Sequence, residues 1–560
     1  MILYSKYTPL SINAILIHTI AICSAYITLL YCTPRKLLVF SISTLSILLL
    51  LLYIGNIVAI NYWNDTISWS FLINNVSVLS KELQRFPVYV FAFLLIAIAL
   101  LIKIYSKLLN LQTDFRRHFG ILPIIPILLF LFYYSLYSIQ ENISSTLQGE
   151  PLFEFFNEKQ KATITVKAPA AAAPNRIALQ KEKNQPNIIL IHGDALRADR
   201  LSAYGNTRKT TPFIDSLISE MGGVKIENSM SNCSETICGI ASVTASRFSY
   251  NENTKNIFTI LAENGYTNNF IGTGDLYHGR LDQYLNPITY NFLRADLNEK
   301  YYKHDDRFII DTLSSYPPSS QHPQLFYLRM MSSHPLGDHR QKYKRYQPTP
   351  NSLFSMATWG KNILEAQINA HDNFASQFDG YVENIFSIMR AKGYLDNAVV
   401  VIFGDHGDAM GEHGYQGHYN SIYQEEIHVP IIIWASNNID MKVNTNSFAT
   451  LMDIPPTLLH HLKIAIPKSF LGQPLQIDNS EKIAYLDSKR KVAGVLYQSE
   501  EKIYKLFISK KDLHPLHLFE LESDPGERSD VHKQKKEITK KLADLYSKFI
   551  NPQLGSEAIQ

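Results

Sequence analysis

The chain has 560 residues, too many for one hydrophobic core and enough for two or three domains. A net charge of only +3, with no long basic block, excludes the electrostatic footprint of a nucleic-acid partner. Of the four cysteines, Cys23 and Cys32 lie in apolar segments and read as small hydrophobes. Cys233 and Cys238 stand five positions apart in a polar stretch. That spacing excludes a CxxC metal pair and leaves either a short-loop disulfide, which needs an oxidising compartment, or two buried thiols.

The first elements in chain order are four apolar runs, at residues 11–31, 37–60, 87–105 and 121–137. Each approaches the ~20 residues needed to cross a bilayer. A cleaved signal peptide would explain only one of them. Arg35 and Lys36 follow the first run, and Lys103, Lys107, Arg116 and Arg117 cluster between the third and fourth. Basic loops stay in the cytoplasm, so the amino terminus and everything after Tyr137 are expected outside. Residues 1–140 thus read as a helical transmembrane domain of four spans, with 67–83 as an amphipathic interfacial segment. Residues 141–186 read as a linker, rich in Ala, Pro, Lys and Glu and too poor in apolar residues for a core.

Residues 187–560 read as one globular domain. A buried strand at 187–193 ends at Asp194, and Pro212 opens a helix behind Thr211. Further elements are a helix at 257–264, strands at 268–272 and 324–331, a long helix at 363–392, and strands at 398–403 and 430–434. This alternation predicts an α/β fold with a mostly parallel sheet covered on both faces. Strand ends in such sheets hold ligands. Here they present Asp194, then His334, then the adjacent Asp405 and His406, with His418 shortly after. Asp405 and His406 offer an oxygen and an imidazole nitrogen to a divalent metal. Asp194 taken alone reads more readily as a helix cap than as a metal ligand.

The segment 231–239, Ser-Asn-Cys-Ser-Glu-Thr-Ile-Cys-Gly, precedes a short helix. Thr236 is either a cap or a nucleophile, with Ser234 in reserve; a hydroxyl at a helix amino end beside a metal is activated for attack. Arg197 reads as a surface ion pair more than as a source of charge for the site, and Asp379 as a packing residue.

With these motifs in place, the chain resembles the alkaline-phosphatase superfamily, and within it the sulfatase-like membrane transferases such as phosphoethanolamine transferases and lipoteichoic-acid synthases. Gly193-Asp-Ala-Leu-Arg-Ala-Asp199 resembles the first metal motif, and Gly404-Asp-His-Gly-Asp-Ala-Met-Gly-Glu412 the most specific one. Ser333-His-Pro335 resembles a Ser-His-Gly-Pro segment, and Leu518–Glu527 a carboxy-terminal segment common in sulfatases. The formylglycine signature Cys/Ser-x-Pro-x-Arg is absent, since neither Cys233 nor Cys238 has Pro two positions on.

The resemblance implies an alkaline-phosphatase-like α/β/α sandwich on the periplasmic face of a bacterial inner membrane. It implies a divalent ion, zinc before manganese, on Asp194, Thr236, Asp405 and His406, with His334 and His418 on substrate. The implied reaction moves a phosphoethanolamine-type head group from a phospholipid, phosphatidylethanolamine first, to a glycan or glycolipid through a phospho-Thr236 intermediate. Phosphoglycerol transfer, a phosphodiesterase using water, and a non-catalytic glycan-binding scaffold are the competing readings.

Overall fold

The computed structural model describes residues 185–551 except 251–254, 275–290, 299, 321, 350–362, 479–480 and 501. The four apolar runs and nearly all of the linker lie outside the described residues. Among the described residues no helix is long and apolar enough to cross a membrane.

Seven strands form the main sheet: β1 (Asn187–Gly193), β2 (Val224–Lys225), β3 (Thr267–Gly272), β4 (Asn291–Arg294), β5 (Gln324–Met330), β6 (Ala398–Gly404) and β7 (Ile431–Ala435). Their order is β2-β7-β6-β1-β5-β3-β4. Strands β6, β1, β5, β3 and β4 run parallel. Strand β7 is antiparallel to both β6 and β2. The mostly parallel sheet expected from the alternation is therefore present; β1, β3, β5, β6 and β7 fall within a residue or two of the expected bounds, and β2 and β4 are additional edge strands.

Successive side chains of a strand face opposite sides. Ile188, Leu190, Val399, Val401 and Phe403 accordingly enter one core, and Ile189, Ile191, Ala398, Val400 and Ile402 the other. Helices α1 (Pro212–Ser219), α4 (Arg307–Ser315) and α5 (Ile363–Ala391) cover the second core, while α2 (Thr236–Ala245), α3 (Ile257–Glu263) and α6 (Ile454–His461) cover the first. Burial on both faces is why the central strands are continuous apolar runs rather than alternating ones.

A second sheet, which the sequence reading did not separate from the first, follows at the carboxyl end. It is an antiparallel meander of β8 (Glu481–Asp487), β9 (Val492–Ser499), β10 (Lys502–Ser509) and β11 (Pro515–Glu520). Helix α7 (Lys536–Ile550) packs on one face through Leu542 and Tyr546. The opposite face, with Leu486, Leu496 and Phe507, packs on Met230, Ile422, Ile427 and Phe448 from the main domain. Lys505 and Glu527 pair at 2.5 Å with neither side chain exposed, and Lys505 Nζ also donates to the Ile422 carbonyl at 2.8 Å.

Thr211 was the expected cap of α1, but its side chain makes no cap hydrogen bond. The cap comes from α5 instead: Asp379 accepts the backbone N–H groups of Phe213 (3.0 Å) and Ile214 (2.8 Å). Asp379 is thus the packing residue it was expected to be. Burial pushes its carboxyl up to about 7, against the pull of those two N–H groups. In the unfolded chain it titrates near ~3.9. The protonated form therefore favours the folded state, a contribution complete below about pH 4 and lost as pH rises through about 7. The urea midpoint of the wild-type protein should fall between pH 5 and pH 8 more steeply than that of Asp379→Asn. Equal slopes would remove Asp379 from the account.

Candidate active site

Neighbouring parallel strands β1 and β6 pair Gly193 with Gly404. The residues that follow, Asp194 and Asp405, therefore leave the carboxyl edge of the sheet side by side. Both are buried, at 1% and 0% exposure. The Asp405 Oδ1 atom accepts the N–H groups of Ala195 (3.0 Å) and His406 (2.9 Å). Its Oδ2 lies 3.2 Å from His192 Nε2, near enough for charge attraction but without the alignment of a hydrogen bond. Asp194 Oδ2 accepts from Arg329 Nη2, while Asp194 Oδ1 has no hydrogen-bond partner.

His406 completes the group. Its Nδ1 donates to the Gly407 carbonyl at 2.8 Å, which places the proton there and leaves Nε2 as a lone pair. Nε2 lies 3.8 Å from Asp194 Oδ1 and 3.6 Å from Asp405 Oδ2. Burial alone would raise the Asp405 carboxyl, but His406 and His192 more than reverse this and hold it well below its usual range. Burial alone would lower the His406 imidazole, and Asp405 and Asp194 outweigh that and raise it.

One ligand atom from each of Asp194, Asp405 and His406 falls within a 4.8 Å cluster. Two carboxylate oxygens facing one another in a buried site, neither with a hydrogen bond, are costly. A divalent cation is their natural complement, and a mixed oxygen and nitrogen set suits zinc or manganese. The residues present fit such an ion.

Thr236 is the first residue of α2, and its Oγ1 lies 3.0 Å from His406 Nε2. The approach is possible because position 239 is glycine: a Cβ there would stand 2.7 Å from the Asp405 carbonyl oxygen. Cys233 and Cys238 are joined by a disulfide, which closes the loop around Thr236. Ser234 Oγ is buried and makes no hydrogen bond, and the Ser234 carbonyl accepts Tyr419 N–H at 2.9 Å. Between the two hydroxyls, Thr236 is the one that meets His406.

His418 hydrogen-bonds through Nδ1 to Asp408 Oδ1 at 2.9 Å. Its ring centroid is 4.3 Å from that of His406 and 6.0 Å from that of His334. Burial raises the Asp408 carboxyl, but the His418 bond and charge outweigh it and leave it at about 2. His334 Nδ1 accepts Leu336 N–H at 3.0 Å, so its proton sits on Nε2, 4.0 Å from Asp194 Oδ1. Burial is the main reason its imidazole is lowered. All of Asp194, Thr236, His334, Asp405, His406 and His418 thus converge at one strand edge.

Arg197 was expected at the surface, yet it is 5% exposed. Its guanidinium donates to the Asp408 carbonyl (2.9 Å), Glu412 (2.7 Å) and Asp199 (2.8 Å), bracing the loop after β6. The sequence reading missed His192 and Arg329. Each is a polar residue inside an otherwise apolar strand, and that break in the run was the available signal.

Residues 186–464 match the family model for Sulfatase. Bovine (Bos taurus) arylsulfatase K is 24% identical over 192 residues, covering 31% of this chain and 35% of that protein. The Kdo(2)-lipid A phosphoethanolamine 7''-transferase of Salmonella typhimurium is 23% identical over 279 residues, 46% of each chain. The chain thus spans under half the length of either relative. A solved sulfatase-like protein from Bacteroides thetaiotaomicron superposes with a TM-score of 0.51 at 18% identity, covering 68% of this chain and 95% of the other. That likeness concerns the fold.

Zinc added to the metal-free protein should raise its unfolding temperature, by an amount equivalent to ~2.7 kcal/mol at a hundredfold excess over Kd. Asp405→Asn should lose that shift. Without zinc, the same variant should be less stable than wild type, because His406 and His192 favour the ionised Asp405 carboxylate in the folded state. A zinc shift that survives in Asp405→Asn would place the ion elsewhere.

Proposed function

The chain carries a sulfatase-family domain, and from that premise we propose that it is a membrane-anchored transferase for substituted phosphate groups. In this reading a phosphoethanolamine-type head group moves from a phospholipid to an extracytoplasmic glycan or glycolipid. The observation that carries it is the Thr236 hydroxyl, 3.0 Å from His406 Nε2 at the amino end of a helix.

A divalent ion held by Asp194, Asp405 and His406, with Thr236 beside them, would lower the hydroxyl pKa and neutralise charge on the phosphate. The chain's own groups account for the rest. Thr236 Oγ1 loses its proton to solvent and attacks the donor phosphorus, the bond to the diacylglycerol oxygen breaks, and a phospho-Thr236 adduct forms; the acceptor oxygen then attacks that phosphorus and the bond to Thr236 Oγ1 breaks. The amino end of α2 favours the anion that develops there. Because Asp408 holds the Nδ1 proton of His418, the ring acts through Nε2: as imidazolium it gives the Nε2 proton to the leaving diacylglycerol oxygen, and the neutral ring then takes the proton of the acceptor hydroxyl. His334, with its proton on Nε2, is placed to donate to a phosphate oxygen.

Two features favour a threonine nucleophile over sulfate-ester hydrolysis through formylglycine. Both cysteines near the site are tied in the disulfide, so neither offers a thiol for conversion. Neither begins a Cys-x-Pro-x-Arg run. The four apolar runs support a bilayer location, where a diacylglycerol-bearing donor is met without extraction from the membrane. Hydrolysis to water is the second reading, because the Sulfatase family model matches residues 186–464, which hold the candidate site.

Full-length protein incubated with phosphatidylethanolamine and zinc should release diacylglycerol and gain a phosphoethanolamine mass on the Thr236 peptide. Thr236→Ala should show neither, and Thr236→Ser should retain both. Turnover that needs no acceptor hydroxyl would favour hydrolysis, and full activity in Thr236→Ala would sink the covalent mechanism. Asp408→Asn should slow turnover about 10²-fold or more while leaving zinc binding in place; an unchanged rate would exclude His418 from proton transfer.

A further inference from the structure

We propose that the exposed turn Lys489-Arg490-Lys491 is an anion-binding subsite for the acceptor, so that the preferred acceptor carries a phosphate or carboxylate near the hydroxyl that is modified. The assignment rests on the transferase reading above and adds the acceptor's chemical class and the residues that recognise it.

The turn joins β8 to β9 in the carboxy-terminal sheet, and it is fastened to the active-site loops. Asp487, just before it, bridges to Cys233, and its N–H donates to the Asn232 carbonyl at 2.9 Å. Lys489 Nζ stands 3.6 Å from Glu235 Oε2, and Glu235 immediately precedes Thr236. The same ammonium lies 4.6 Å over the ring of Tyr419, next to His418. Arg490 Nη1 donates to Asn420 Oδ1 at 3.3 Å, two residues beyond His418. One basic turn is therefore pinned at one end to the loop of Thr236 and at the other to the loop of His418.

All three cations are exposed, and the Lys489 side chain is 44% so. Glu235 faces Lys489, Glu426 acts on Arg490 and Asp487 pairs with Lys510, so Lys489, Arg490, Lys491 and Lys510 outnumber the three carboxylates by one. A phospholipid donor of this class has one phosphate, and that phosphate must sit against Thr236 to react. A second anion-attracting position, just outside Thr236 and beside His418, therefore has no use for the donor. It fits an anionic group on the second substrate, whose hydroxyl His418 deprotonates. Guanidinium and ammonium groups in a row suit phosphate best.

The test uses the full-length protein, with Lys489→Glu/Arg490→Glu compared against Lys533→Glu/Lys536→Glu, an exposed control pair of equal charge change. Binding is measured first, with glucose 1-phosphate and with glucose, on zinc-free protein, where Asp194 and Asp405 repel phosphate from the centre. The wild-type protein and the control pair should bind glucose 1-phosphate with the same Kd. The turn variant should bind it at least about tenfold more weakly, with a flatter salt dependence. Kd values within twofold of one another would overturn the subsite. So would a loss confined to anionic phosphatidylglycerol vesicles, which would assign the turn to the membrane surface.

Transfer is measured second. With zinc and phosphatidylethanolamine, the turn variant should lose preference for the phosphorylated acceptor through KM. Preference retained in the variant would also overturn the subsite. If wild type formed no adduct while the binding difference held, the transferase reading would fall and the anion site would stand.

Discussion

Two carboxylates released side by side from adjacent parallel strands set the terms for everything around them. Asp194 and Asp405 owe their closeness to backbone register, not to flexible side chains, so the protein cannot relieve their repulsion by moving one away. Each is also shielded from water. An electrostatic conflict of this kind persists only where a positive partner answers it. The surroundings supply partial answers: Arg329 on one oxygen of Asp194, His192 beside Asp405, and two backbone N–H groups on Asp405 Oδ1. What they leave is one oxygen on each carboxylate aimed toward His406 Nε2. The site is thus pre-shaped for a cation before any substrate arrives, which is the kind of organisation that lowers reaction barriers without rearrangement.

The same constraint explains several features that look independent. Gly239 lets the first turn of α2 reach the Asp405 backbone, and so brings Thr236 to His406. The disulfide restrains the loop ahead of that turn. Arg197, buried and fully engaged, holds the segment after His406 so that Asp408 can orient His418. Long-range placement by a rigid sheet, with loops braced one against another, is how an α/β scaffold turns distant sequence positions into one site.

Much of this was legible in the chain because the relevant signals are local. A six-residue apolar run followed by Asp-His marks a buried strand and what sits at its end, and strand alternation gives the parallel sheet. The cap of α1 was not legible, because Asp379 lies more than a hundred and fifty residues from the backbone it serves. The burial of Arg197 was missed for a similar reason: its partners Asp408 and Glu412 come from another strand end. His192 and Arg329 were visible only as interruptions in apolar strands, and nothing local says that both lean on the same pair of carboxylates. The carboxy-terminal meander went unseparated because its strands continue the α/β domain without a change in composition.

That meander has a consequence for how the protein can be cut. It is built like a detachable module, with its own hairpins and its own helix. Yet one of its faces is completed by Met230, Ile422, Ile427 and Phe448, and its first hairpin is tied to the loop that carries the disulfide. Severing the chain ahead of β8 would lay bare that apolar surface and release the loop that carries the disulfide. The smallest unit that keeps both faces of the meander covered therefore reaches α7, well beyond residue 464, where the family match stops.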